Sequence, residues 1–168
     1  MTDSIKKIGI DLDNTIIFYD EVFQMVAKKF GLIGNNNCLS KESLRNQIRN
    51  QKNGEKKWQK LQGYVYGEGI NKAALFPGVY RFLWRCKERK IDVEIVSHKT
   101  EYGHFDEDKI PLRKAALQWM NSKGFFNESK FSISSEAVFF CNTRKEKADQ
   151  ISKLKLDTFV DDLNEVFR

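Results

Sequence analysis

The stretch Ile8-Gly9-Ile10-Asp11-Leu12-Asp13-Asn14-Thr15 is an apolar run that stops at two carboxylates one residue apart. In an extended chain Asp11 and Asp13 point to the same side, and the Asn-Thr after them marks a backbone turning at the strand's end. Two acids are thereby aimed into one crevice. The same residues also read as a polar turn closing a buried strand, with Asp13 or Thr15 capping the next element. The rest of the chain decides between the two.

Four short apolar runs read as buried strands: Ile8 to Leu12, Ile91 to Val96, Ala137 to Phe140 and Thr158 to Val160. The segments between the later runs carry helical patterns, which predicts an alternating α/β fold around a parallel sheet. One helix is announced by Phe76-Pro77-Gly78 and carries Val79, Phe82, Leu83 and Cys86 at helical spacing. Another starts near Pro111, shows Leu112, Ala115, Ala116, Trp119 and Met120 on one stripe, and ends at Gly124. Both stripes read as core packing.

From about Asp20 to Leu75 the character changes. No convincing strand is found. Val22, Phe23, Val26, Ala27 and Phe30 form one helical stripe, a break comes from Gly31 to Asn37, and Ser40 can cap a second helix through Leu44 and Ile48. A third helix holds Trp58, Leu61 and Val65. A segment this long is an insertion rather than a connection.

At 168 residues the chain can bury one good core and support a small appendage. Twenty-nine Lys and Arg against 23 Asp and Glu give a formal charge of +6, which favours anionic partners without naming one. The densest basic stretch, Lys41 to Lys60 with Arg45, Arg49, Lys52, Lys56 and Lys57, reads as a solvated helix face or as a surface facing an anionic ligand. Cys38, Cys86 and Cys141 are widely spaced, without zinc or redox spacing, and fit a reduced intracellular compartment. No apolar segment approaches a bilayer span, and Lys6 and Lys7 interrupt any signal-peptide core. The expectation is a soluble, cytoplasmic protein with no membrane partner.

Ligands of a parallel α/β sheet bind beyond the carboxyl ends of its strands. The first run ends in Asp11 and Asp13, the second in Ser97, and the last in Asp161-Asp162. After the third, Arg144-Lys145-Glu146-Lys147 opens a helix through Ile151 and Leu154. Each signal is weak alone. The ordered set, spanning nearly the whole chain, resembles the haloacid dehalogenase (HAD) superfamily of phosphohydrolases: Asp-x-Asp-x-Thr, a Ser or Thr, a helix-start Lys, and an acidic pair.

The resemblance implies an α/β, Rossmannoid three-layer fold with a central parallel sheet. Residues 1–19 and 76–168 form its catalytic core, and residues 20–75 a small helical cap that closes over the site and selects substrate. It implies that Asp11 is nucleophile and metal ligand, forming an aspartyl-phosphate. Asp13 protonates the leaving oxygen, later activates water, and touches the metal through its carbonyl. Ser97, Asn14 and a lysine bind the phosphoryl group, and Asp162 with Asp161 completes a magnesium site. Lys147 fits the lysine's role because it lies one helical turn before Ile151; Lys145 stays open. Asp162 registers best as the direct ligand, with Asp161 direct or through water.

Within the family, Asp13 resembles the acid of phosphomonoester phosphatases and, less often, of phosphomutases, since members that cleave carbon–halogen bonds lack an acid there and ion pumps typically carry Thr; the phosphatase is the reading chosen. The substrate implied is a small phosphorylated metabolite, a sugar phosphate or nucleotide. A nucleic-acid end stays open, because Trp58, Tyr64 and Tyr66 either stack a base or pack between helices. His98, Lys99 and His104, in the polar stretch from His98 to Phe105, either touch substrate or sit in an exposed loop. The chain stops at Arg168, where the family supplies another strand and helix, so a minimal member or a piece of a longer protein is expected. A further acid that some members carry falls on Val166, leaving Asn164, Glu165 or no residue for its role. The alternative to an enzyme is a non-catalytic or regulatory binding module on the same fold.

Overall fold

The computed structural model describes residues 5–34, 39–104 and 109–162. Cys38, the Asn35–Asn37 turn, Phe105, Asn164, Glu165 and Val166 lie outside the described residues. The chain divides into two compact units, one of Met1–Phe18, Leu75–Thr100 and Met120–Arg168, the other of Tyr19–Ala74 and Glu101–Trp119.

The first unit is built on a four-stranded parallel sheet. Its strands are β1 (Lys7–Ile10), β4 (Asp92–His98), β5 (Val138–Cys141) and β6 (Thr158–Val160), in the order β5-β4-β1-β6. These are the four apolar runs, each matched to within a residue or two. β1 sits between two neighbours, which is why Ile8 and Ile10 are almost fully buried. Its register pairs Ile10 with both Ile95 and Val160. The first residues beyond β1 and β6 therefore emerge at the same level, which sets Asp11 beside Asp161.

Gly9 in β1 is required by packing: a methyl group there would collide with Leu156 and Phe159. Two helices accompany the sheet in this unit. α4 (Val79–Glu88) buries Leu83 and Cys86 but leaves Phe82 exposed, so only part of the sequence stripe is core. Gly78 precedes it at φ 91°, a left-handed conformation that glycine adopts without strain. α6 (Arg144–Leu154) starts at Thr143, whose hydroxyl accepts from the Glu146 N–H at 3.1 Å, while the Glu146 carboxylate accepts from the Asn142 N–H at 2.8 Å. The hydroxyl satisfies one donor that the helix start leaves open, and the carboxylate ties the first turn to the backbone just before the cap.

The second unit is helical: α1 (Asp20–Lys29), α2 (Lys41–Arg49) and α3 (Gly54–Tyr66), with a 3-10 segment at Glu68–Lys72. Ser40 caps α2 by accepting from the Ser43 N–H at 3.2 Å. Phe23 stacks on Trp58 with centroids 5.2 Å apart, and Leu44, Ile48, Leu61 and Val65 are fully buried. Trp58 and Tyr66, open to either reading in the sequence, are packed among the helices, Tyr66 against Tyr19 and Phe23. α5 (Leu112–Lys123) contributes Trp119, whose indole N–H donates to the Ala73 carbonyl at 3.0 Å. The short strands β2 (Ile17–Phe18) and β3 (Ala74–Leu75) form a separate two-stranded sheet. No helix among the described residues is long and apolar enough to cross a membrane.

Candidate active site

Asp11 directly follows β1, and its N–H donates to the Val160 carbonyl at 2.8 Å, extending the β1–β6 pairing by one step. Regular strand ends at Ile10, so the facing of Asp13 is set by a loop rather than by strand alternation. In that loop the Ile16 and Ile17 N–H groups both donate to the Leu12 carbonyl, and Asn14 takes φ 65°. Asparagine tolerates this left-handed conformation better than most residues. Leu12 is fully buried between the two acids.

The acids meet different lysines. Lys147 Nζ lies 2.6 Å from Asp11 Oδ1 and 2.6 Å from Asp161 Oδ2, with its side chain only 5% exposed. Lys99 Nζ lies 2.7 Å from Asp13 Oδ2, with its side chain 2% exposed. Lys145 is exposed, as are Arg144 and Glu146, so the first turn of α6 presents its fourth residue to the site. Buried ammonium groups are tolerated only when paired, and each of these lysines has its carboxylate.

Burial raises the Asp11 carboxyl from 3.8 to about 7, outweighing the lowering effect of Lys147 beside it; Asp13 and Asp161 add to the rise. Burial acts on Lys147 in the opposite direction, lowering it, yet Asp11 and Asp161 together hold it above its ordinary value. Carboxylate oxygens of Asp11, Asp161 and Asp162 all lie within 4.8 Å of one another. Asp161 is shielded and Asp162 exposed, so the sequence pair contributes one acid from each side of the surface.

Ser97 lies inside β4, and its hydroxyl is buried without a hydrogen-bond partner; the Thr15 hydroxyl is in the same state. An orphaned buried hydroxyl is costly unless a further group completes it. His98 is exposed, its Nε2 3.0 Å from the Asn142 carbonyl oxygen, and His104 is exposed as well. Lys99 is the residue that sequence reasoning left unplaced. The signal was present: it lies two residues beyond Ser97 at a strand's carboxyl end.

The acids fit a magnesium ion. Three hard carboxylate oxygens converge, one on a group whose charge is expensive to hold in its buried place, and a divalent cation would offset that cost. The arrangement can present a carboxylate nucleophile beside cationic and hydroxyl groups able to hold an anion.

No protein-family model matches the sequence, and no curated protein matches it. Solved structures do. A HAD-superfamily hydrolase of subfamily IA from Geobacter sulfurreducens aligns over 97% of this chain and 80% of its own, at 11% identity and a TM-score of 0.50. A hydrolase from Streptococcus pneumoniae aligns over 92% of this chain and 80% of its own, at 14% identity and a TM-score of 0.50. The chain has the HAD-like α/β fold, with its central parallel sheet.

Proposed function

We propose that the chain is a magnesium-dependent phosphomonoester hydrolase acting through an aspartyl-phosphate on a small phosphorylated metabolite. One observation carries this reading: a buried carboxylate, Asp11, that shares Lys147 with Asp161 at the carboxyl end of a parallel sheet. Magnesium, held by Asp11, Asp161, Asp162 and the Asp13 carbonyl, would supply positive charge against the repulsion between carboxylate and phosphate. That repulsion is about 4 kcal/mol per pair of unit charges at about 4 Å and an effective dielectric near 20.

In the first step an Asp11 carboxylate oxygen forms a bond to phosphorus, the bond from phosphorus to the ester oxygen breaks, and Asp13 gives a proton to that leaving oxygen. In the second, Asp13 takes a proton from water as the water oxygen bonds to phosphorus, releasing phosphate and the Asp11 carboxylate. Lys147, the Ser97 hydroxyl and Asn14 hold the phosphoryl oxygens. The orphaned Ser97 hydroxyl supports this assignment, since such an oxygen would complete it. Asp13 favours a phosphomonoester over a halogenated substrate, and the helical unit is read as the cap that selects the leaving group.

Incubation with magnesium and p-nitrophenyl phosphate is expected to release phosphate, and Asp11→Asn to abolish release. Comparable turnover by that variant would sink the mechanism. Calorimetric titration with magnesium separates the enzyme from a non-catalytic module: no binding in the millimolar range would favour the module.

A further inference from the structure

Half of the large hydrophobic side chains that stand exposed among the described residues come from one short stretch: Phe76, Tyr80, Phe82 and Trp84. Three of them are on α4, where Tyr80 is 51% exposed and Phe82 and Trp84 are each 38% exposed. Large apolar side chains left exposed together on one helix are a signal of a binding surface. The same helix and its C-terminal extension carry Arg81, Arg85, Lys87, Arg89 and Lys90 against the single acid Glu88.

Helical geometry arranges these residues in rows. At about 100° per residue, Arg81 and Arg85 lie opposite the buried Leu83 and Arg89, just past the helix end, continues their row toward the side of Phe82, with Tyr80 and Trp84 on the other flank. Arg81, Arg85, Arg89 and Lys90 make no side-chain hydrogen bond or ion pair among the described residues. The basic stretch in the helical unit differs, because there Arg49 is spent on Glu55, Lys57 on Gln51, and Lys41 on Phe23 and Tyr66.

The rings on the flank are held in place. Tyr80 packs edge-on against Phe131 at 5.0 Å, and Phe131 in turn against Phe125 at 5.4 Å. Lys87 covers one face of Trp84 at 5.3 Å from the ring centroid while donating to the Glu128 carbonyl at 2.7 Å. Rings fixed before binding lose little entropy when a ligand stacks on them.

We propose that this face of α4 binds single-stranded nucleic acid, the phosphates running along the arginine ridge and the bases splaying onto Tyr80 and Trp84 on one side and Phe82 on the other. Unpaired guanidinium groups suit phosphate, and exposed rings suit bases of any identity. A second copy of the chain is disfavoured, because an isologous contact would set one arginine ridge against another. A lipid surface is disfavoured because the ridge lies between the two aromatic flanks, so both cannot be immersed without the arginines. An acidic protein would use the charge but leave the rings unexplained.

The test is fluorescence anisotropy in EDTA with labelled dT20, compared with a 20-base-pair duplex, poly-glutamate and phosphatidylserine vesicles; it needs no phosphatase activity and so stands apart from that reading. Preference for dT20 is expected, with quenching of tryptophan fluorescence and about a tenfold loss for Tyr80→Ala or Trp84→Ala. Replacing Arg81 and Arg85 by Gln should weaken binding and reduce the slope of log K against log salt by about 1.4. Both pairs of side chains are exposed, so circular dichroism of the variants should match the parent. Equal binding of poly-glutamate, preference for duplex or vesicles, or full binding by folded Tyr80→Ala/Trp84→Ala would each overturn the proposal.

Discussion

Asp11→Asn should alter the pH dependence of stability in a direction fixed by burial. In the absence of metal the Asp11 carboxyl holds its proton up to about 7, against 3.8 in an exposed chain. The folded chain thus binds this proton more tightly than the unfolded one. The resulting contribution to folding is complete below about pH 4 and is lost as pH rises through about 7. Worked for a single group with these two values, it amounts to about 3 kcal/mol at pH 5 and well under about 1 kcal/mol at pH 7.5. Lys147 stays charged across this window because its own value is raised, so it adds no slope there. Urea unfolding in EDTA, followed by tryptophan fluorescence, should show the parent losing roughly 2–3 kcal/mol relative to Asp11→Asn between pH 5 and 7.5. A difference between the two proteins that stays flat, or grows in favour of the parent, as pH rises across that range would refute the assignment of a desolvated, proton-retaining Asp11.

At pH 8, where Asp11 is ionised, Lys147→Met should destabilise the chain by roughly 3–5 kcal/mol in EDTA, because it strands Asp11 and Asp161 without their cation; magnesium should restore part of the loss, and urea midpoints with and without metal check both effects. Gly9→Ala is expected to cost about 1–3 kcal/mol by overpacking against Leu156 and Phe159, with Leu156→Ala in the same chain giving part of it back. Trp58→Ala should cost about 3–5 kcal/mol through the cavity it leaves beside Phe23, read by chemical denaturation. Thr143→Ala removes the cap of α6 and should cost about 1 kcal/mol, visible as a shift in the same unfolding midpoint.

Local pattern carried much of the fold because its signals are short-range. The apolar runs became β1, β4, β5 and β6, and Ser40, Pro111 and Gly124 marked helix ends near where they are observed. Phe82 shows where periodicity stops being informative: its spacing matches Leu83 and Cys86, but whether a residue at the edge of a stripe is covered depends on what packs there. Asp13 shows a similar limit. Alternation predicts a strand through Leu12, whereas the regular ladder ends at Ile10 and a loop fixed by the Leu12 carbonyl turns the chain.

Taken alone, the sequence determined the order of strands and helices and the acids, hydroxyl and lysines that end them, since strand runs, caps and strand-end polar groups are encoded by neighbouring residues. Tertiary structure decided which of these groups meet. Lys147 rather than Lys145 reaches Asp11 because the phase of α6 against β1 and β6 is set by packing between segments more than a hundred residues apart. Lys99 finds Asp13, Trp119 finds Ala73, and Asp11 and Asp161 share a level only through the register of parallel strands. Burial, which raises the Asp11 carboxyl and leaves the Ser97 hydroxyl without a partner, is a property of that assembly and of no residue by itself.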